Sequence, residues 1–338
     1  MSYYVGIDLH SDNNFIGIID KKDCRILSKR LPNDLDMVLN TLKPFKRKIK
    51  GIVVESTYNW YWLVDGLMDK KYKVHLANPA GMEQYSGMKY TDDKWDSFCL
   101  AHMLRLGILP EGYIYPKDIR PTRDLLRKRM MLVQHRTAYI LSLQSMVNRN
   151  TGRKLKGSET KKLGEGEIKR MFSDKHLVMS AQSNCNVMDF LDGQIDAIEK
   201  AVIKEVKLLY PFEKLLTVPG IGNILGMTIM LESGDMNRFQ EVSNYSSYCR
   251  CVSSKKVSNG KKKGENNKKN GNKYLAWAYV EAANFMRRFC PQARSWHQRK
   301  VSKTNQIVAT KALSNKIARA CYFIIKDQTD FDPEMLFE

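Results

Sequence analysis

Four carboxylates have the types and positions of a metal site. Asp8 lies in YVGIDLH, a short β-rich run in which Val5, Ile7 and Leu9 point to one face and Gly6, Asp8 and His10 to the other. Glu55 closes the apolar run GIVVE. An acid at the end of each of two buried strands is costly unless a cation or solvent compensates it. Asp93 and Asp96 stand three apart at the start of a helical pattern and so share one face. Asp92 shares a face with Asp96 as well, so spacing leaves Asp92 and Asp93 as rivals. Four converging carboxylates would hold two divalent cations about 4 Å apart, which activates a nucleophile and stabilises a leaving oxygen at phosphorus. Hard oxygen ligands select Mg2+. Taken singly, the acids have plainer readings: Asp93 and Asp96 favour a helix N-terminus, and Asp8 solvates a strand end. As a set within one α/β segment they favour the metal. His10 and His135 read as structural residues, and Trp60, Trp62 and Trp95, which flank the acids, read as core rather than as base-stacking platforms.

The elements that must carry these acids alternate along the first hundred residues. Tyr3–Leu9, Asn13–Ile19 and Cys24–Ser28 are β-rich runs. Asp34–Phe45 has helical spacing with Asn33 as its expected N-cap, and Gly51–Val54 is a buried strand. Tyr58–Met68 reads as helix, Tyr72–Leu76 as strand and Asp93–Leu106 as helix, an α/β pattern that ends at the breakers Pro110, Gly112 and Pro116. From Pro121 the period changes. Leu126, Met130, Val133, Thr137, Ile140, Gln144 and Val147 form a heptad seam, and Met188, Leu191, Ile195, Ile198 and Val202 form a second. Two such helices predict an antiparallel arm or a dimerising coiled coil, with an ordinary bundle as the bland alternative. Residues from 212 onward read as mostly helical. The expected domains are therefore 1–116, 117–211 and 212–338.

Composition bounds what the chain can be. It has 338 residues, 56 Lys+Arg against 36 Asp+Glu and a formal charge of +20. The first hundred residues carry only +2 of it, so the remaining 238 carry +18. A basic excess of this size implies a polyanionic partner, most often nucleic acid. Hydrophobic content of 43% excludes a disordered chain. No apolar stretch approaches the roughly 18 residues of a membrane span, and the N-terminal sequence has no signal-peptide pattern. Seven scattered cysteines read as reduced thiols, and Cys249 and Cys251 lack a second Cys/His pair at zinc-ligand spacing. The expected location is cytoplasmic.

The basic remainder holds two more signals. In LLTVPGIGNILG, Pro219-Gly220-Ile221-Gly222 between helical segments looks like a helix–hairpin–helix turn, where Gly220 and Gly222 let backbone N–H groups approach a phosphate. A tight turn without a ligand is an equal reading, and the missing βαβ unit argues against a dinucleotide site. Ser253–Lys273 holds eight lysines and one acid. Lys255, Lys256, Lys261, Lys262, Lys263, Lys268, Lys269 and Lys273 are candidate phosphate contacts, or simply a solvated basic loop. Lys311, Lys316 and Arg319 share a helical face that could meet a phosphate backbone or solvent.

GIDLH, VVEST and KYTDDKWDSFCLA together resemble the three acidic motifs of the DEDD insertion-sequence transposases, the IS-one-ten and Piv invertase family of bridge-RNA-guided serine recombinases. The resemblance runs through most of the chain in family order: acidic motifs, helical arm, VPGIG and a basic segment. It implies a RuvC-like, ribonuclease-H-type domain whose first and fourth strands are neighbours, which would set Asp8 beside Glu55. The family ending Asp-x-x-Asp plus a small residue selects Asp93 and Asp96, with Ser97 where Ala is usual. It further implies a C-terminal transposase domain with a nucleophilic serine before the helix that starts near Gly271-Asn272. Counting back through Ser-x-Gly-x-x-x-Gly places that serine at Ser258, with Ser253 and Ser254 as fallbacks because Cys251–Ser253 departs from the family pattern.

The function this implies is DNA recombination through a covalent phosphoserine, with Mg2+ on Asp8, Glu55, Asp93 and Asp96. The implied partners are donor and target DNA, a structured guide RNA and further copies of the chain, as a homodimer or homotetramer in which one protomer's acids meet another's serine. Two other classes fit the residues: a metal-dependent junction nuclease with no covalent step, and a nucleic-acid-binding protein without activity.

Overall fold

The computed structural model describes residues 1–82, 92–207, 211–254, 256–265 and 270–337, with only the backbone of Lys262. Its contacts divide the chain into two compact units, Met1–Lys117 with Glu265–Asn270, and Asp118–Gly264 with Gly271–Glu338.

The first unit is built on a six-stranded sheet. Its strands are β1 (Tyr3–Leu9), β2 (Asn13–Asp20), β3 (Arg25–Pro32), β4 (Ile49–Glu55), β5 (Val74–Ala77) and the two-residue β6 (Glu111–Gly112), in the order β3-β2-β1-β4-β5-β6. Strands β1–β3 form an antiparallel meander, whereas β4 runs parallel to β1 and β5 parallel to β4. The central strands are apolar on both faces because helices cover both. On one face α1 (Leu35–Leu42) and α2 (Tyr61–Asp69) bury Val38, Leu42, Leu63, Val64 and Leu67 against Val5, Ile7, Leu9 and Val54. On the other, α3 (Asp93–Leu106) sets Leu100 and Met103 against Val53 and Ala77, and Phe98 and Ala101 against Ile19. Trp60 is buried in the first of these cores. Edge strand β3 is longer than the sequence pattern suggested and carries Arg25, Lys29 and Arg30, charges that blunt an edge. The N-cap of α1 is Asp34 and not Asn33: the Asp34 carboxylate accepts from the Met37 N–H at 2.9 Å.

The second unit is helical. Two 32-residue helices, α4 (Arg120–Thr151) and α7 (Lys175–Val206), pack along their length. They run antiparallel, since Arg129 pairs with Glu199 and Arg136 with Asp192. Leu126, Ile140 and Val147 from the first seam and Met188, Leu191, Ile195 and Val202 from the second are buried, while Thr137 is exposed. Short helices α5 (Gly157–Thr160) and α6 (Glu165–Met171) join the two, and Leu155, Ile168 and Phe172 close a small core at that end. The remaining helices are α8 (Pro211–Leu216), α9 (Asn223–Ser233), α10 (Val242–Tyr248), α11 (Lys273–Phe289), α12 (Pro291–Lys303), α13 (Gln306–Asp327) and α14 (Pro333–Phe337). Their core is made by the buried faces of α11 (Leu275, Tyr279, Ala282, Met286) and α13 (Leu313, Ile317, Cys321), with Tyr245 at its centre. A hairpin of β7 (Lys256–Ser258) and β8 (Lys261–Gly264) interrupts the helices. No helix among the described residues is long and apolar enough to cross a membrane.

Candidate functional site

Strand register brings the first two acids together. Ile7 is level with Val54 on the parallel neighbour, so the next residues, Asp8 and Glu55, stand side by side at the C-terminal ends of β1 and β4. The face they occupy is the one that α3 covers. Gly6 is on the same face as Asp8, and a Cβ there would lie 1.9 Å from the Ser97 carbonyl oxygen and 2.8 Å from the Ala101 nitrogen. Glycine at position 6 and the small, fully buried Ser97 therefore let helix backbone rest directly on strand backbone. That approach carries the first turn of α3, with Asp93 and Asp96, onto the strand ends.

Asp92 and Asp93 make different contacts. Asp92 is the N-cap of α3: its carboxylate accepts from the Trp95 N–H at 2.6 Å, which satisfies one of the helix's orphan donors. Asp93 turns instead toward Asp8 through a shared neighbour, His10. The His10 Nε2 lies 3.1 Å from Asp8 Oδ2 and 3.3 Å from Asp93 Oδ1. Sequence reasoning set His10 aside as structural; the structure puts its ring among the acids. Its main chain is fixed by two amides that reasoning also missed, Asn33 and Asn59, whose Nδ2 groups donate to the His10 carbonyl at 3.0 and 2.9 Å. The signal was present in the alternation of YVGIDLH, which set His10 on the face of Asp8.

Electrostatics mark the cluster as under tension. Burial, a hydrogen bond shared with Asp8 and the charges of Asp8 and Asp96 push the Glu55 carboxyl up to about 7, with His10 opposing. Burial and the neighbouring charges of Asp8, Asp93 and Asp92 raise Asp96. Asp8 is only 3% exposed. The His10 Nε2 is buried and, despite its two close carboxylates, makes no well-directed hydrogen bond. Ligand atoms of Asp8, His10 and Asp93 all fall within 4.8 Å of one another. Crowded carboxylate oxygens that raise the Glu55 and Asp96 carboxyls fit a hard divalent cation, whose charge would relieve the repulsion.

The second unit presents Ser258 at the end of β7, exposed and paired across the hairpin with Lys261. The basic stretch is thus not a plain loop. Asn259 and Gly260 both have positive φ, +50° and +72°, the Asn-Gly turn that best matches the twist of a two-residue hairpin. This dipeptide was the overlooked signal. Lys256, Lys261 and Lys263 flank the serine on the two strands. Lys255, Lys268 and Lys269 lie outside the described residues, and Ser253 and Ser254 precede the hairpin.

Both ends of the hairpin segment meet at one place. The Asn272 N–H donates to the Tyr248 carbonyl at 2.6 Å, and Arg250 Nη2 donates to the Gly271 carbonyl at 3.0 Å. Asn272 also caps α11, accepting from the Tyr274 and Leu275 N–H groups, while its amide donates to Glu232 at 2.7 Å. Glu232, 2% exposed, is held by Arg123 and Arg127 of α4. Burial alone would raise this carboxyl, but Arg127, Arg123 and Asn272 together hold it below the ordinary range.

Two further candidates have partners within the fold. Lys311 donates to the Arg250 carbonyl and Lys316 to the Leu336 carbonyl at 2.6 Å, so both lysines tie segments of the second unit together. Gly220, at φ +93°, packs against α11, where a Cβ would come within 2.5 Å of the Met286 nitrogen. That close packing accounts for this glycine. Gly222 is different: it is the N-cap of α9 and has open space where a Cβ would be.

Comparison with known proteins covers both units. A family described as Transposase matches residues 5–150, and the Transposase IS116/IS110/IS902 family matches residues 212–298. The chain belongs to the IS110 family of transposases. A Pseudomonas aeruginosa protein described as a probable family 20 transposase is 26% identical over 147 residues, 42% of this chain. That match spans 44% of the relative's own length. The first family match contains Asp8, Glu55, Asp93 and Asp96, and the second contains Ser258 and the α8–α9 turn.

Proposed function

We propose that this IS110-family chain is a DNA transposase that cuts and rejoins strands through a covalent phosphoserine on Ser258. The observation that carries the reading is the convergence of Asp8, Glu55, Asp93 and Asp96 at the C-terminal ends of the central strands of a mixed six-stranded sheet, in a chain whose remaining residues are strongly basic. Asp8, Glu55, Asp93 and Asp96, with His10 beside them, would hold Mg2+. When bound, the metal supplies charge to polarise the scissile phosphate and stabilise the leaving oxygen.

The protein's residues supply the rest. The Ser258 hydroxyl oxygen attacks phosphorus and forms a serine–phosphate bond; the bridging DNA oxygen leaves and takes up the proton the serine gives up. Attack by the hydroxyl of the strand to be joined reverses the exchange and restores the serine. Lys256, Lys261 and Lys263 neutralise phosphate charge beside it, and Gly222 leaves the α9 N-terminus open to a backbone phosphate. Ser258 has no acid beside it on its own exposed strands, and the family resemblance supplies the acids from a second protomer in a homodimer or homotetramer. A structured RNA encoded beside the gene would choose target and donor. Location in the cytoplasm follows from this reading.

The test is incubation of the full chain, Mg2+ and a supercoiled plasmid bearing the DNA that flanks its gene. The protein should form a detergent-resistant adduct with DNA. Ser258→Ala should abolish the adduct but keep Mg2+-dependent thermal stabilisation; Asp8→Asn should lose both, with cleavage down by about 10³-fold or more. Cleavage retained by Ser258→Ala and lost by Asp8→Asn would mean a hydrolytic junction nuclease instead.

A further inference from the structure

Within the second unit, a cleft of about 590 Å³ runs between α4 and the first turns of α11. On the α4 side Met130, Met131 and Val133 alternate with the polar side chains of Asp124, Arg129 and Gln134, and one wall is aromatic, made by Tyr274 and Trp277. Tyr274 is held rigidly. The Arg127 guanidinium lies 4.4 Å from the centre of its ring while donating two hydrogen bonds to buried Glu232. Trp277, three residues on and therefore on the same face of α11, is half-buried. Exposed Lys128 and Lys273 also line the cleft, with Asp124 as its one acid, and the Lys273 Nζ lies 5.2 Å from the centre of the Tyr274 ring.

A cleft of this size, part apolar and mostly basic where charged, lies within the roughly 300–1,000 Å³ of small-ligand sites. Its chemistry is narrower than its volume. A flat π surface that is partly open to solvent suits a planar ring, and two lysines lining the cleft suit an anion attached to that ring. Neither the serine chemistry nor the acid cluster uses these residues. A lipid or an aliphatic peptide would have no need for the aromatic wall, and duplex DNA keeps its bases stacked on one another. From this geometry we infer that the cleft takes an unpaired nucleotide of a nucleic-acid strand, its base against Trp277 and its phosphates toward Lys128 and Lys273. The inference rests on reading the chain as an enzyme of nucleic acids. It adds that the enzyme grips a splayed or single-stranded base at a place distinct from the residues that cut. Tyr274 and Trp277 are then the platform, and the Glu232–Arg127 pair is the brace that keeps it in place.

Fluorescence anisotropy with labelled dT12, rU12 and a 12-base-pair duplex tests this on the full chain. Trp277→Ala should weaken single-strand binding by about 5- to 100-fold while leaving the duplex within twofold. Trp277→Phe, which keeps an aromatic ring, should recover most of the loss and shows that the fold survives. Replacing Lys128 and Lys273 by Gln should weaken binding of all three probes and flatten the salt dependence. The stronger of dT12 and rU12 then names the strand as DNA or RNA. Equal losses on single strand and duplex, or no loss with Trp277→Ala, would overturn the stacking site; so would full competition by free UMP, which marks a mononucleotide pocket. If the unaltered chain bound none of the three probes, the nucleic-acid reading itself would fail, a result distinct from any of these.

Discussion

The two regions proposed to share the chemistry are built in opposite ways. The acids sit where a sheet forces them: two adjacent strand ends and one helix, locked by backbone contact at Gly6, with Asp8 buried. Ser258 sits on two short strands with its side chain exposed, and the hairpin's order comes from a two-residue turn and from the clamp at its base. Four carboxylates repel one another, so they need a rigid scaffold to stay together until a cation arrives. A nucleophile that must meet a long polyanion gains from reach and exposure instead. The difference teaches that the acid cluster is held by global topology, whereas the serine's position is set locally and by the few residues that pin its segment.

The sharpest way to break this contrast is to cut the hairpin's anchorage without touching the hairpin. Glu232→Gln leaves buried Arg123 and half-buried Arg127 with no carboxylate, and loss of one partner from a buried ion pair costs about 3–5 kcal/mol. Chemical denaturation should show that loss in the second unit, and the adduct at Ser258 should fall with it because Asn272 loses its partner. The pH dependence has a definite sign. Glu232 is held below its unfolded value, so the folded state binds fewer protons than the unfolded state as pH falls through the acid range. Its stabilisation is complete above the ordinary glutamate value, about 4.3, and is lost as pH falls through the lower folded value. Glu232→Gln should remove that part of the acid transition. If the variant's acid unfolding curve kept the parent's shape, this ion cluster would not govern the unit.

The fold was legible in the sequence to different depths for the same reason. Strands and helices of the first unit follow from apolar runs and periodicity, and the two seams of the arm mark most of the residues that bury. Asp8 and Glu55 stood out because acids at the ends of buried strands are out of place, whereas Asp93 and Asp96 drew notice through their helical spacing and the family resemblance. His10 was passed over because its role depends on three elements meeting, which no local pattern records. Asn33 was read as a cap because Asn suits that position, yet its amide is spent on the His10 carbonyl and Asp34 caps the helix. Lys311 and Lys316 looked like a surface row because helical phase alone does not reveal which carbonyls approach from other segments. The Glu232 network could not be read at all, since its members are more than a hundred residues apart in part.

A smaller perturbation sharpens the acid side of the comparison. In Gly6→Ala the new methyl meets backbone atoms of α3, which cannot rotate away as a side chain would. Overpacking of this kind costs about 1–3 kcal/mol. The helix should shift from the strand and carry Asp93 and Asp96 from Asp8. Isothermal titration should therefore show weaker Mg2+ binding than the lost stability alone explains, with the second unit unaffected. Unchanged Mg2+ affinity in a folded variant would mean that the contact between Gly6 and α3 does not set the spacing of the acids.

The smallest effect expected is on the serine side, and it separates exposure from disorder. Gly260→Ala puts a Cβ at φ +72° with nothing within 4 Å to meet, so its cost is the left-handed backbone itself, about 1–2 kcal/mol. The hairpin is two short, exposed strands, so this cost goes into its own opening and leaves the melting temperature of the unit nearly unchanged. A hairpin whose geometry presents Ser258 should then form the DNA adduct about 5- to 30-fold more slowly, as the competent form becomes a minority. An adduct rate equal to the parent's would show that the serine works equally well from an opened segment. In that case the clamp through Arg250 and Asn272, and not the Asn-Gly turn, would be what delivers the nucleophile.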